Sequence, residues 1–217
     1  MAMIAPCDSG EGFSTRYLSS AAGVPISCVM SAQHDLFGVA PARPAGLTLV
    51  TEAVSHEEAA RLEGLVDAAP LAPFRFQRWT GRRLTASYGA AYDHAAGRRV
   101  EDAPFPAWLH RLAQEIAPRV GVAADQCVQA LLIRYDPGAG IGWHRDRPHY
   151  GEVLGLSLSA PATMRFRRRS AAGFDRVNVP LPPRSLYRLS GEAREEWEHS
   201  IAPMEVTRRS ITLRTLR

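Results

Sequence analysis

His144 and Asp146 form a His-x-Asp pair inside residues 131–150, LLIRYDPGAGIGWHRDRPHY, and another histidine, His199, follows much later. Two imidazoles and one carboxylate on a single face of an ion are the donor set that suits non-haem iron(II), because three coordination positions stay open for a bidentate co-substrate and dioxygen. In an extended backbone, residues two apart project to the same side, so His144 and Asp146 can converge without a helical turn. His199, inside Trp197-Glu198-His199-Ser200-Ile201, must then arrive on a neighbouring strand. Taken alone, a His-x-Asp pair reads more readily as a surface hydrogen-bonded pair or part of a zinc site.

A second pattern shifts that balance. In Arg208-Arg-Ser-Ile-Thr-Leu-Arg214, two guanidiniums at even separation flank apolar residues in a strand-like run, which puts both on one face. Inward-facing arginines are costly unless they meet anions, and a dicarboxylate is a natural partner for a guanidinium fork.

From about residue 75 to the end, the chain resembles the AlkB family of iron(II) and 2-oxoglutarate dependent dioxygenases. Two blocks carry the resemblance. Arg134-Tyr135-Asp136-Pro137-Gly138-Ala139-Gly140 leads into Trp143-His144-Arg145-Asp146, and His199-Ser-Ile is followed by Arg208 and Arg214 at the family's spacing. The resemblance implies His144, Asp146 and His199 as iron ligands and Arg208 as the partner of the distal 2-oxoglutarate carboxylate. It implies Tyr135 as a hydrogen-bond donor to that carboxylate, and Arg214 as closing the site near the iron. The implied cofactor is Fe(II), with 2-oxoglutarate and dioxygen as co-substrates. The implied reaction is oxidative demethylation of N-alkylated bases in DNA or RNA, releasing formaldehyde, succinate and CO2. Three positions depart from the pattern: Ile133 and Ser210 stand where many members have Asn, and Pro148 stands where nucleic-acid repair members often carry an acid. Pro148 keeps open the same chemistry on a protein, lipid or small molecule; an inactive nucleic-acid-binding module is the reading from another class. Residues 78–89 resemble the family's substrate-recognition lid, which makes Arg82 and Tyr88 candidate substrate contacts. Arg167, in Arg165-Phe-Arg-Arg-Arg169, is a third, beside a phosphate backbone.

Composition sets wider bounds. A chain of 217 residues suits one domain, and its 46% hydrophobic content is ordinary for a globular protein. All 26 basic residues are arginine and the net charge is +4, a weak attraction to polyanions. Cys7, Cys28 and Cys127 are scattered and odd in number, which argues against a disulfide framework or zinc ribbon and fits a reducing cytoplasm. No apolar run approaches the ~18 residues of a membrane span, and no obligate protein partner is implied.

The elements that must position these residues follow from pattern. Residues 1–44, rich in Gly, Ala, Ser and Pro, read as a flexible arm, with 45–217 as the dioxygenase domain. Residues 47–50 read as a strand. Ser55 with Glu58 forms a capping box for a helix to about Ala68, with Ala59, Leu62, Leu65 and Val66 inward. A second helix spans 106–116, stopped by Pro118. Beyond 126, strands are expected at 128–135, 152–159, 163–168, 176–181, 185–190, 198–201 and 210–216. The predicted fold is α+β, mainly β: a double-stranded β-helix (jelly roll) core with N-terminal helices packed against it. Trp143 is expected to turn away from the ligands and pack as core.

Overall fold

The computed structural model describes residues 43–76, 79–93, 98–101 and 103–217; apart from its last two positions, the arm expected over 1–44 lies outside them. Among the described residues one antiparallel sheet runs in the order β1 (Leu47–Val50), β10 (Leu186–Leu189), β7 (Tyr150–Ser159), β12 (Arg208–Leu216), β5 (Gln129–Tyr135), β3 (Trp79–Asp93) and β2 (Ala72–Phe76), with β4 (Arg98–Glu101) also pairing to β3. A second sheet has the order β6 (Ile141–His144), β11 (Glu198–Ile201), β8 (Ala162–Ser170) and β9 (Gly173–Leu181). From β5 to β12 the chain passes back and forth between the two sheets, which is the double-stranded β-helix expected of the sequence.

The strands expected beyond residue 126 correspond to β5, β7, β8, β9, β10, β11 and β12. Those not anticipated are β2, β3, β4 and β6. From Trp79 onward the basic and aromatic run belongs to the long strand β3, not to a lid alone. Gly89, at φ +80, bends it; a Cβ there would lie 2.2 Å from the Val128 carbonyl oxygen. Glycine also hides β6, whose Ile-Gly-Trp-His lacks an alternating pattern.

Two helices cover the outer face of the larger sheet. In α1 (His56–Ala68) the Ser55 hydroxyl accepts the Glu58 N–H at 3.0 Å, but the Glu58 carboxylate turns to Arg61, at 2.7 and 2.6 Å, so only half of the expected capping box is seen. In α2 (Ala107–Ile116) Pro106 sits at the cap, and past the helix Pro118 enters a 3-10 turn that ends at Gly121 with φ +73. Leu62 and Val66 of α1 and Leu109, Leu112 and Ile116 of α2 pack with Leu132, Leu154, Leu156, Leu158, Ile211 and Leu213 from the sheet. The main core is therefore outside the β-helix. Within it, Val153, Met164, Phe166, Val179, Leu181 and Leu189 close an apolar end, with Trp197 and α3 (Gly191–Glu195) beside them.

Because this outer layer holds β5, β7 and β12 in register, Leu156→Ala should cost about 2–5 kcal/mol. Urea unfolding of the purified variant measures it, and an unchanged midpoint would count against this layer as the main stabilising core.

Candidate active site

The pairing of β6 with β11 sets His144 directly opposite His199, with ring centroids 4.3 Å apart. Asp146 lies just past the end of β6 and not within an extended strand, yet its Oδ2 comes to 3.5 Å from His199 Nε2. Donor atoms of all three residues fall within 4.8 Å of one another. The His144 Nδ1 lies 2.9 Å from the Gly142 carbonyl oxygen, a bond that fixes the ring and leaves Nε2 for an ion. No such partner meets the buried His199 Nδ1 among the described residues.

What holds Asp146 without a strand is arginine. Arg214 on β12 donates through Nε to Asp146 Oδ1 (3.0 Å), with Nη2 in ion-pair contact at 2.9 Å, and through Nη1 to Gln129 Oε1 (2.7 Å). Buried Arg194 on α3 donates to the carbonyls of Arg147 (2.6 Å), Tyr150 (2.9 Å) and Gly151 (2.9 Å), pinning the turn that follows Asp146. Burial alone would raise the Asp146 carboxyl, but the charge of Arg214, with smaller help from the histidines and Arg194, holds it far below the carboxylate range. Burial pushes the His199 imidazole down to about 3, with His144 adding to the effect, and burial also lowers His144. At neutral pH the cluster is therefore two neutral imidazoles and one carboxylate, the protonation a divalent cation needs.

On the same inward face of β12, Arg208 is 1% exposed. Its Nη2 donates to Ser157 Oγ at 3.0 Å, whereas Nε and Nη1 are buried with no acceptor among the described residues. The Tyr135 ring lies 5.3 Å away on the adjacent β5, and Ser210 is buried beside Ser157 and Ile133 in the register. A buried guanidinium with orphaned donors is expensive until an anion arrives, so this arrangement fits a carboxylate.

A model of the 2OG-Fe(II) oxygenase superfamily matches residues 55–216. The chain belongs to that superfamily. Mouse (Mus musculus) tRNA (carboxymethyluridine(34)-5-O)-methyltransferase ALKBH8 is 30% identical over 184 residues, which cover 82% of this chain and 27% of that protein. The Arabidopsis thaliana alkylated DNA repair protein ALKBH8 homolog is 29% identical over 184 residues, 72% of this chain and 50% of its own length. The chain thus spans half or less of these relatives. Among solved structures, OsALKBH1 superposes with a TM-score of 0.59 at 12% identity, covering 80% of this chain and 98% of that one. A Pseudomonas putida prolyl-4-hydroxylase gives 0.55 at 17% identity, covering 79% and 93%. Both structural likenesses show the shared fold. This AlkB-like oxygenase is a dioxygenase that uses Fe(II), 2-oxoglutarate and dioxygen, and no described helix is long and apolar enough to cross a membrane.

The expected substrate contacts are not brought to this centre. Arg82 is exposed, because alternation along β3 turns it away from the interior. Tyr88 packs against the outer hydrophobic layer. Arg167 lies on the outer face of the smaller sheet, 4.6 Å over Trp143 and 4.8 Å over Phe174, with Nε on Glu198 at 2.6 Å. Trp143 does turn away from the ligands, but its half-buried ring stacks with Arg165 and Arg167 and does not enter the core. Glu198, one residue before His199, therefore belongs to this outer network. Gln129, Ser157 and Arg194 were missed by sequence reasoning. Ser157 could have been found, since even spacing along β7 puts it on one face with Gly155 and Val153.

Two outcomes follow. Replacing Arg214 with Gln should loosen Asp146 and weaken Fe(II) or Mn(II) affinity about 10–100-fold, as read by anaerobic titration calorimetry; unaltered affinity would show that Arg214 does not position the carboxylate. Because His199 stays neutral in the metal-free fold while an unfolded histidine protonates near pH 6.5, stability present at pH 7 should be lost as pH falls from 6.5 toward 3. Urea unfolding should show a loss of about 2 kcal/mol at pH 5 from this residue, and His199→Gln should remove that slope.

Proposed function

We propose that this oxygenase removes N-alkyl groups from nucleic-acid bases, with His144, Asp146 and His199 holding the iron and Arg208 holding the far carboxylate of 2-oxoglutarate. The buried, half-satisfied Arg208 carries the co-substrate assignment, because its orphaned donors share an inward face with Arg214, which grips Asp146. Tyr135 stands beside Arg208 and would donate its hydroxyl to the same carboxylate, with Ser210, two residues along β12 on the same inward face, as a further short donor. Arg214, expected to close the co-substrate site near the iron, directs its guanidinium to Asp146 and Gln129; its role in this reading is to aim the ligand carboxylate. The AlkB homologues among the relatives, one named for tRNA and one for DNA repair, favour nucleic acid as the substrate.

When bound, iron with 2-oxoglutarate and dioxygen supplies the oxidising power, and the protein supplies binding, orientation and exclusion of water. The balance is N–CH3, dioxygen and 2-oxoglutarate giving N–H, formaldehyde, succinate and CO2. The carbon–nitrogen bond breaks, the nitrogen keeps a proton, and one oxygen atom each goes to formaldehyde and succinate.

The test is formaldehyde release from methylated DNA and RNA oligonucleotides, dependent on iron and 2-oxoglutarate. We expect His144→Ala to abolish release. Arg208→Ala should raise the 2-oxoglutarate KM at least about tenfold, the scale of one lost charge-assisted hydrogen bond. Succinate formation with no release from any methylated oligonucleotide would reject the nucleic-acid reading and keep the oxygenase.

A further inference from the structure

A second buried guanidinium has an orphaned donor, and neither the ligand set nor the co-substrate site accounts for it. Arg83 is 6% exposed, and its Nε is buried with no hydrogen-bond partner among the described residues. Among the described residues no carboxylate pairs with it. Its guanidinium carbon lies 3.9 Å over the Phe74 ring, which supports a cation's face but gives its Nε no acceptor.

The register shows which way Arg83 looks. β3 pairs with β5 so that Leu84 meets Arg134 and Thr85 meets Ile133. Arg83 therefore shares the face of Thr85 and Ile133 and comes next to Tyr135, which itself pairs with Arg208. The three side chains make one row across neighbouring strands on the inward face. Arg83 also acts electrostatically on His144 and interacts with Tyr135, Arg214 and Asp146, as expected of a charge beside the metal centre.

After Asp146 come Arg147, Pro148 and His149, with no acid among them. The guanidiniums of Arg83 and Arg208 thus share the inward face with Arg214, which grips the Asp146 carboxylate, and the charges of a ferrous ion and a keto diacid cancel one another. Bases such as N1-methyladenine and N3-methylcytosine are cations, and a site with this surplus repels them. An N3-alkyl uracil or thymine is uncharged and carries a carbonyl oxygen on each side of its alkylated nitrogen, the acceptor a buried guanidinium lacks.

We infer that the substrate of this oxygenase is an uncharged N-alkylated base of the N3-alkyl uracil or thymine class, whose carbonyl oxygen accepts from Arg83, and not a cationic alkylated base. The inference rests on the nucleic-acid reading proposed above. It makes Arg83 the residue that selects the base by charge.

The experiment compares three single-stranded oligonucleotides, identical except for one central N3-methylthymidine, N3-methylcytidine or N1-methyladenosine. Demethylated base and formaldehyde are followed with the iron- and 2-oxoglutarate-loaded protein. The wild type should favour N3-methylthymidine at least about tenfold in kcat/KM. Arg83→Gln should lose about tenfold on that substrate, mainly through KM, and narrow the preference. Arg83→Glu should invert it. The thermal midpoint of Arg83→Gln should fall by no more than about 4 °C, the scale of the stacking lost on Phe74. A wild-type preference for the cationic bases, or an unchanged ratio in both variants, overturns this inference alone. A larger fall in the midpoint with unchanged ratios assigns Arg83 to the fold and overturns it too. Turnover of none of the three, with succinate still produced, removes the nucleic-acid reading and this inference together.

Discussion

One buried carboxylate links the two sheets. Asp146 faces His199 on the smaller sheet and is gripped by Arg214 on the larger one, while the turn that carries it is tied by Arg194. An ion pair removed from water is stable only when its geometry is good and its remaining donors are satisfied. Here Arg214 meets that condition through Gln129, and Asp146 through the guanidinium and the imidazole side. The carboxylate is thus ionised and aimed before any metal arrives. That pre-set charge is what makes two neighbouring imidazoles, both held neutral by burial, usable as ligands.

The placement of the core makes this tolerable. The main apolar layer lies between the larger sheet and its two helices, outside the β-helix, and the apolar closure inside is confined to one end. The rest of the interior can then hold Ser157, Ser210, Tyr135 and three arginines without the fold depending on them. Since β7 is apolar on its outer face through Leu154, Leu156 and Leu158, its inward Gly155 and Ser157 need only make room and accept a bond. Tyr187 uses that room: a Cβ on Gly155 would fall 2.1 Å from its ring, so the phenol crosses directly over the glycine. The polar end of the barrel is built on backbone that the outer core has already fixed.

Much of this was legible in the residues. The strands from β5 onward have clear turn punctuation, α1 has its cap, and the His-x-Asp with a later histidine stood out by type and spacing. What was not legible has physical causes. Glycines in β3 and β6 break the period that reveals a strand, and a basic, aromatic strand reads as a loop by composition. Misreading β3 had a direct consequence: in the pair Arg82-Arg83, alternation decides which one enters the interior, and without a strand there is no alternation to apply. Arg167 and Tyr88 likewise lie on the outer faces of their strands, a placement that residue type alone does not fix.

By itself the sequence determined the kind of chemistry: two histidines, a carboxylate and paired arginines admit few uses together, since each type has a narrow range of ions and anions it can serve. Tertiary structure alone decided how the charges are shared. Only the pairing of β12 with β5 and β7 places Arg214 on Asp146 while leaving Arg208 short of acceptors, and only the pairing of β3 with β5 turns Arg83 inward. Electrostatic roles depend on distance and burial, and both are properties of neighbours brought together by sheet register, which no local stretch of sequence contains.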